Sequence, residues 1–185
     1  MQILLWVLGV AAVLAAAAII VGHMMPRRIK VSRSAVIDAP AERIFSLISD
    51  YKEFNRWSPW AEKDPNTVYD YDGEAGQIGH RMSWKSDHKH VGSGAQEIML
   101  AEAPSRLRVK LDFGKQGTAE AQFDLKPAGA GGVEVTWTLD ADMDASGKLL
   151  GVIPVGRFMG PMMDKWVGAD YEAGLAKLKT VAESG

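Results

Sequence analysis

The feature that most constrains this chain is an uninterrupted apolar segment near its N-terminus. Residues Ile3 to Gly22 contain no charged or strongly polar side chain, and eleven of these twenty residues are Ile, Leu or Val. As an α-helix, such a segment extends about 30 Å, which is the thickness of the hydrocarbon core of a bilayer. Transfer of its aliphatic side chains into lipid contributes roughly −3 to −6 kcal/mol, with no charge to oppose it. The segment therefore predicts a transmembrane helix.

A cleavable signal peptide is the alternative interpretation of this segment. Such a peptide typically has a basic start and a shorter apolar core, whereas Met1 and Gln2 carry no side-chain charge and residues 19–21 extend the apolar run past the alanines. We therefore favour an uncleaved single span. Positive charge prefers the cytoplasmic side of a membrane, so the rest of the chain is expected in the cytoplasm. The basic residues on which this orientation depends all follow the span: Arg27, Arg28, Lys30 and Arg33.

Composition excludes several classes of partner and site for the rest of the chain. The chain has 185 residues, a net charge of −2 and no cysteine. A charge near zero gives no basic surface that would favour nucleic acid as a partner. The lack of cysteine excludes disulfides, a thiol nucleophile and thiolate metal sites. All Lys, Arg, Asp and Glu residues follow the apolar segment, so we divide the chain into an anchor with its basic flank, residues 1–28, and one globular domain, residues 29–185.

Alternation of apolar and polar residues dominates the globular part. This period of two is typical of strands with one buried and one solvated face. Asp-Gly, Pro-Ser and glycine-rich segments between the alternating runs indicate hairpin turns. We expect an antiparallel sheet that is covered on one side. The predicted strands lie at residues 29–37, 67–71, 80–85, 96–101, 107–113, 121–125 and 133–139.

Two segments change to helical periodicity. After the first strand, Asp38 is placed to cap a helix and Pro40 suits an early helical position. The second helix is expected from about Pro161 to Glu183, with its apolar residues on one face. Gly168 and Gly174 interrupt this helix on or near its buried face, at a cost of roughly 1 kcal/mol each relative to alanine. We therefore expect a close approach there, either to the sheet or to a ligand.

This order of elements, together with six sequence motifs, resembles the START-like helix-grip superfamily, also called SRPBCC. The motifs are VIDAPAERIFSLISD, WSPWAEKDP, GEAGQIGHRMSW, VGSGAQEIML, VTWTLDADM and MMDKWVGADYEAGLAKLK. Within the superfamily, the likeness is to the polyketide cyclase/dehydrase-like group. The resemblance implies an α+β fold in which a curved antiparallel sheet wraps around the long C-terminal helix and encloses an apolar cavity. Members bind lipids, hormones, polyketides or other hydrophobic molecules, and only some are enzymes.

If such a cavity is present, the aromatic and methionine side chains are the candidates to line it. Aromatic walls and flexible thioethers are typical of pockets for apolar ligands, although the same residue types also fill cores. The methionines near the last helix are equally suited to contact a bilayer. Trp137 is interpreted as core because it lies on an alternating apolar face. The candidate ligand-binding residues are Trp57, Trp60, Trp84, Met99, Met143, Phe158, Met162, Met163 and Trp166.

The sequence contains no recognisable catalytic motif. Glu97 is the first choice for a general acid or base inside the cavity. His88 and His90 lie two residues apart in a predicted hairpin tip without a third ligand at metal-binding spacing, so no metal and no cofactor is expected. The leading hypothesis is a membrane-anchored domain that binds a hydrophobic small molecule or lipid. The alternatives are a cyclase- or dehydratase-type enzyme and a partner of other membrane proteins.

Overall fold

Within the described residues, the chain forms an N-terminal helix, a seven-stranded sheet and a long C-terminal helix. The computed structural model describes residues 2–145, 147, 149 and 151–184. Met1, where the predicted anchor begins, and Gly185, where the predicted globular domain ends, lie outside these residues. The helices are α1 (Gln2–Met24), α2 (Ala41–Ser49), α3 (Tyr51–Phe54), α4 (Pro59–Lys63) and α5 (Val155–Glu183). The strands are β1 (Arg28–Ile37), β2 (Val68–Asp72), β3 (Arg81–Lys85), β4 (Ser93–Glu102), β5 (Arg106–Asp112), β6 (Thr118–Pro127) and β7 (Val133–Asp142).

The seven strands form one antiparallel, curved sheet in the order β1-β7-β6-β5-β4-β3-β2. This arrangement confirms the predicted α+β fold class and the seven strands expected from the alternation. The inner face carries the core: along β7, the side chains of Val133, Val135, Trp137 and Leu139 are buried, and their neighbours in sequence are more exposed. Helix α5 packs across this face of the sheet, and α2 contacts both α5 and β5.

One end of the sheet collects the start of β1 and three loops. Arg28 pairs with Asp142, Thr118 with Asp112 and Ser93 with Lys85. Because neighbouring strands run in opposite directions, these pairs place the chain entering β1, the β3–β4 and β5–β6 connections and the segment after β7 at the same end. We call this the anchor end, since α1 leads into it.

Helix α1 is the one helix among the described residues that is long and apolar enough to cross a bilayer, a property that it shares with signal sequences. Its side chains are exposed over most of its length, but Gly22 near its end is buried. A Cβ at Gly22 would lie 2.9 Å from the Pro154 ring and 3.0 Å from the Phe158 ring. The end of α1 therefore packs against the start of α5, at the anchor end of the sheet.

The glycines of α5 lie where the helix approaches side chains of the sheet, as expected. A Cβ at Gly174 would lie 2.9 Å from the indole of Trp137. The guanidinium of Arg33 covers Gly168 and bonds to Asp164 at 3.0 Å and Glu172 at 2.6 Å, one turn to either side. These two glycines thus let β1 and β7 pack closely against α5.

Two local expectations about the helices are corrected by the structure. Helix α5 begins at Val155, six residues before the expected start, and Pro161 lies inside it. Pro161 has no N–H to bond the Arg157 carbonyl, so the helix continues through it with one backbone hydrogen bond fewer. Asp38 does not cap α2: Pro40 occupies the N-cap position without a side-chain bond, while the Asp38 backbone N–H donates to the Glu183 carboxylate at 2.8 Å.

Candidate ligand-binding cavity

A cavity of about 670 Å³ lies between the inner face of the sheet and α5. Its deeper wall comes from the middle of the strands and from α3, α4 and α5. Its outer wall comes from the loops of the anchor end, including residues 89–92 and 115–117, and from the first half of α5. The cavity therefore opens at the end of the sheet where α1 is attached.

Aromatic rings close the inner end of the cavity. Trp60 and Tyr171 lie on the wall, and the indole of Trp137 stacks behind them at 3.8 Å from the Tyr171 ring with an interplanar angle of 9°. Phe123 stacks on the other side of Trp137 at 4.8 Å. Trp137 is 2% exposed, which confirms its interpretation as core. This layered packing gives the cavity a rigid apolar floor.

Trp84 forms part of the wall near the opening. It pairs with Gly94 on β4, and a Cβ at Gly94 would lie 2.6 Å from the indole. The ring of Phe113 meets Trp84 edge-on at 6.1 Å. Glycine at position 94 therefore lets the Trp84 indole lie flat across the neighbouring strand.

Asp170 is a charged group on the cavity wall. One carboxylate oxygen accepts a hydrogen bond from the Trp60 Nε1–H at 3.1 Å, and the other accepts one from the Lys63 ammonium at 2.5 Å. These contacts orient the Trp60 indole and neutralise the carboxylate with a neighbouring cation. Asp170 therefore joins α4 to α5 beside the floor of the cavity.

Two amide side chains bring unpaired polar atoms to the same wall. Gln96 is 6% exposed, and its Nε2 has no hydrogen-bond partner among the described residues; the same holds for Oδ1 of Asn55. The Asn55 Nδ2 donates to the Tyr71 hydroxyl at 2.8 Å and lies 3.6 Å from the sulfur of Met82, which pairs with Gln96 across β3 and β4. A buried polar atom without a partner costs about 1–3 kcal/mol. The two amides are thus suited to bind a polar group of a ligand.

The structure brings five of the nine candidate ligand-binding residues to the cavity. They come from α4, β3, the segment after β7 and α5, which meet around the same space. The five residues are Trp60, Trp84, Met143, Met163 and Trp166.

The other four candidates are not among the described residues that line the cavity. Trp57 is fully buried in the core, where its Nε1–H donates to the Leu47 carbonyl at 2.8 Å. Met99 is 47% exposed because the alternation along β4 places it, like Glu97, on the outer face, beside the β-bulge between Ile98 and Leu100. Phe158 packs against α1 at Gly22, and Met162 projects from the exposed side of α5.

Glu97 lies on the outer face of the sheet. Its neighbour Gln96 faces the cavity, so the period of two points Glu97 away from it. The Glu97 carboxylate lies 3.4 Å from the Arg81 guanidinium, and both side chains are substantially exposed. The structure thus places this candidate acid in a surface ion pair, outside the described cavity wall.

The histidines of the β3–β4 connection are exposed, and His90 lies at the rim of the cavity. Across the part of the chain that the structure describes, no group of three or more His, Cys, Asp or Glu side chains is arranged to hold a metal ion. His80, in contrast, is buried: its Nε2 accepts from the Tyr51 backbone N–H at 3.3 Å, and its ring stacks on Tyr51. His80 therefore has a structural role.

Sequence reasoning missed three polar residues of the wall. Gln96 shares its face of β4 with the apolar Ile98, so a polar residue at an inward position was visible in the alternation. Asp170 lies one helical turn after Trp166, which places it on the same side of α5. Asn55 follows α3 in an irregular segment, where no periodicity indicates its direction.

A sequence model of the family described as polyketide cyclase / dehydrase and lipid transport matches residues 28–183. The chain belongs to this family. The match begins at β1 and covers the whole sheet and α5, whereas α1 precedes it. No curated protein sequence matches the chain.

Solved structures share the fold of this polyketide cyclase/dehydrase family member at low sequence identity. An aromatase/cyclase from a Streptomyces species is 17% identical, with a TM-score of 0.59 over 84% of this chain and 94% of that one. A protein from Thermobifida fusca is 16% identical, with a TM-score of 0.60 over 81% and 90%. A protein from Chromobacterium violaceum is 17% identical, with a TM-score of 0.57 over 85% and 99%. The family and the helix-grip fold together support a hydrophobic-ligand-binding domain.

Proposed function

We propose that this protein is a membrane-anchored binding protein that holds a lipid or another hydrophobic small molecule in its cavity without transforming it. The observation that carries the proposal is the cavity of about 670 Å³ between the sheet and α5. Pockets of about 300–1,000 Å³ with mostly apolar walls and a few polar groups are typical of small-molecule sites. The aromatic floor and the methionines near the opening fit an apolar ligand of variable shape.

The polar atoms of the wall refine the ligand class. The unpaired amide atoms of Asn55 and Gln96 favour a molecule with one hydrogen-bonding group, such as a hydroxyl or carbonyl, on an apolar body. Such a group restores the bonds that these amides lose on burial. We therefore expect an amphipathic ligand with its polar group next to Met82.

Helix α1 supports the membrane part of the proposal. It is long and apolar enough to span a bilayer, and the basic residues after it favour a cytoplasmic domain. A single span keeps the cavity close to the lipid phase, in which apolar molecules are concentrated. The anchor thus raises the local concentration of ligands that dissolve poorly in water.

The alternative, a cyclase- or dehydratase-type enzyme, gains no acid or base from Glu97, since this carboxylate is paired with Arg81 on the outer face. Asp170, which does lie on the wall, is engaged by Lys63 and Trp60. These placements favour binding over chemistry.

The test compares two phenylalanine substitutions at neighbouring positions of β6, in the chain from residue 25 onwards. Ala119 lines the cavity, whereas Glu120 is exposed on the opposite face. We expect Ala119→Phe to fill the cavity and to weaken binding of a fluorescent fatty acid at least about tenfold, which is 1.4 kcal/mol. Glu120→Phe should bind like the unaltered chain.

Fluorescence titration measures the affinity, and mass spectrometry of organic extracts from the purified chain identifies bound lipid. The midpoints of thermal unfolding of both variants control for folding. Equal affinities in the two variants would contradict binding in this cavity. An unaltered chain that binds no apolar probe and carries no lipid would contradict the function itself.

A further inference from the structure

The first half of α5 presents an exposed apolar stripe, only part of which lines the cavity. Val155, Met159, Met162 and Trp166 are between 43% and 46% exposed. Their spacing of four, three and four residues places them along one side of the helix. Globular proteins rarely leave large apolar side chains exposed in a continuous row, and such rows mark contacts with proteins or membranes.

The stripe continues into the turn before α5. Leu149 and Val152 are 56% and 48% exposed, and a backbone bridge between Leu149 and Ile153 holds this turn together. The six residues form a surface that we call the apolar ridge: Leu149, Val152, Val155, Met159, Met162 and Trp166. The ridge contains an indole, the side chain that prefers the boundary between lipid and water.

We propose that the apolar ridge docks on the bilayer that holds α1, so that the cavity opens onto lipid. This inference rests on the membrane anchor of the proposed function. The position of α1 identifies the occupant: its end packs against Pro154 and Phe158, next to the ridge on the same helix. A surface that adjoins the exit of an apolar span meets the lipid surface before it meets any soluble partner.

Polar contacts fix this junction. The Arg157 guanidinium donates to the carbonyl oxygens of His23 and Met25, both at 3.4 Å, and pairs with the Asp144 carboxylate at 2.7 Å. Carbonyl groups at the end of a helix lack intrahelical partners, so an arginine there satisfies them. Arg157 therefore holds the end of α1 against both the start of α5 and the segment after β7.

The ridge also borders the cavity. Met159 and Trp166 belong to the ridge and line the cavity wall, together with Gly156 and Met163 from the same part of α5. When the ridge lies on a bilayer, these side chains place the opening at the level of the lipid head groups. A ligand then passes from the membrane into the cavity without crossing water.

The test uses the full chain with single cysteines, since the sequence has none of its own. Met162→Cys places an environment-sensitive nitrobenzoxadiazole fluorophore on the ridge. Ile78→Cys is the matched control, because Ile78 is 66% exposed in the β2–β3 connection at the opposite end of the sheet. Val10→Cys reports on insertion of α1. Each labelled chain is reconstituted into vesicles of phosphatidylcholine and phosphatidylglycerol, with and without nitroxide-bearing lipid.

We expect the labels at positions 10 and 162 to emit at shorter wavelength and to lose at least half of their intensity to the lipid nitroxide. The label at position 78 should emit as in water and resist quenching. A water-like label at 162 beside a quenched label at 10 would overturn the docking and leave the anchor intact. Equal quenching at 78 and 162 would also overturn it. A water-like label at 10 would instead contradict the anchor, whatever the ridge does.

Discussion

At the scale of single residues, Gln96 supplies one of the two amides on which the proposed preference for an amphipathic ligand rests. Gln96 is a polar residue on the inward face of β4, beside the apolar Ile98, and its Nε2 has no hydrogen-bond partner among the described atoms. Leucine has a similar size and no polar atom. Replacement of Gln96 therefore separates the contribution of the amide from that of the cavity volume.

We predict that Gln96→Leu raises the free energy of unfolding by about 1 kcal/mol, because it removes an unpaired buried donor. The same substitution should reduce the preference for decanol over decane about three- to tenfold. Displacement of a bound fluorescent fatty acid measures this preference. Gln122→Leu on the outer face of β6 is the control, since the Gln122 amide donates to Asp124. An unchanged preference in the Gln96 variant would show that the ligand's polar group binds elsewhere.

The sequence predicted the type of the site residues better than their direction. Trp57 and Trp60 flank the same proline, yet the indole of Trp57 is directed into the core by its bond to the Leu47 carbonyl and that of Trp60 to the cavity by Asp170. Both directions depend on partners that are distant in the sequence or in a neighbouring helix. No local pattern distinguishes the two indoles, so direction at such positions follows only from the packed structure.

At the scale of elements, two glycines of α5, Gly168 and Gly174, lie against side chains that differ in how easily they can move. The atom nearest to Gly174 belongs to the Trp137 indole, which is held between Tyr171 and Phe123. The group nearest to Gly168 is the Arg33 guanidinium, the end of a flexible side chain. A methyl group is therefore tolerated very differently at the two positions.

We predict that Gly174→Ala lowers the free energy of unfolding by about 1–3 kcal/mol, since the clash with a fixed ring outweighs the gain of about 1 kcal/mol in helix propensity. Gly168→Ala should cost less, because Arg33 can swing aside at the expense of its exposed ion pairs. Urea denaturation followed by circular dichroism compares the two variants. A larger loss for Gly168→Ala would show that the Arg33 contacts, rather than the aromatic stack, fix α5 on the sheet.

The elements themselves were largely predictable from the sequence. Alternation predicted the strands, and β4 departs from it at the bulge, after which Leu100 pairs with Arg108 and Ala101 with Leu107. The start of α5 was not predictable, because Pro161 is typical of a first turn and here lies within the helix. The size of the cavity was equally hidden, since an unfilled space depends on how all side chains pack and not on any one segment.

At the scale of the whole molecule, an ion pair joins the chain entering β1 to the end of β7. The Arg27 guanidinium binds the Asp142 carboxylate with contacts of 2.7 to 3.1 Å, although the residues are far apart in the sequence. Its hydrogen bonds and charge lower the pKa of Asp142 to about 2. The same pair links the chain entering β1 to the end of β7, next to the cavity opening.

Since the pKa of Asp142 is lower in the folded state than in the unfolded chain, the stabilising effect of its charge is complete above the ordinary value near 4. It is lost as the pH falls from about 4 to about 2. We therefore predict that Asp142→Asn destabilises the protein at pH 7 and makes stability less dependent on pH in this range. Urea midpoints between pH 7 and pH 2 measure this effect.

Arg27→Gln serves as the second arm of this experiment. It removes the partner, so it should lower the stability at pH 7 and weaken the pH dependence in the same direction. The double variant should lose less than the sum of the two single losses. Additive losses, or an unchanged acid limb in Asp142→Asn, would assign the acid sensitivity to other carboxylates such as Asp164 or Glu183, whose pKa values are also lowered by cationic neighbours.

The short connection between α1 and β1 limits the distance between the sheet domain and the end of α1. Three residues separate Met24 from Arg28, so the domain can move no more than about 10 Å from the end of the helix. For a protein embedded through α1, this reach is smaller than the width of its own fold. On the proposed anchoring by α1, the domain does not reach a second membrane across an aqueous gap, and the ligands that it binds come from the bilayer to which it is attached.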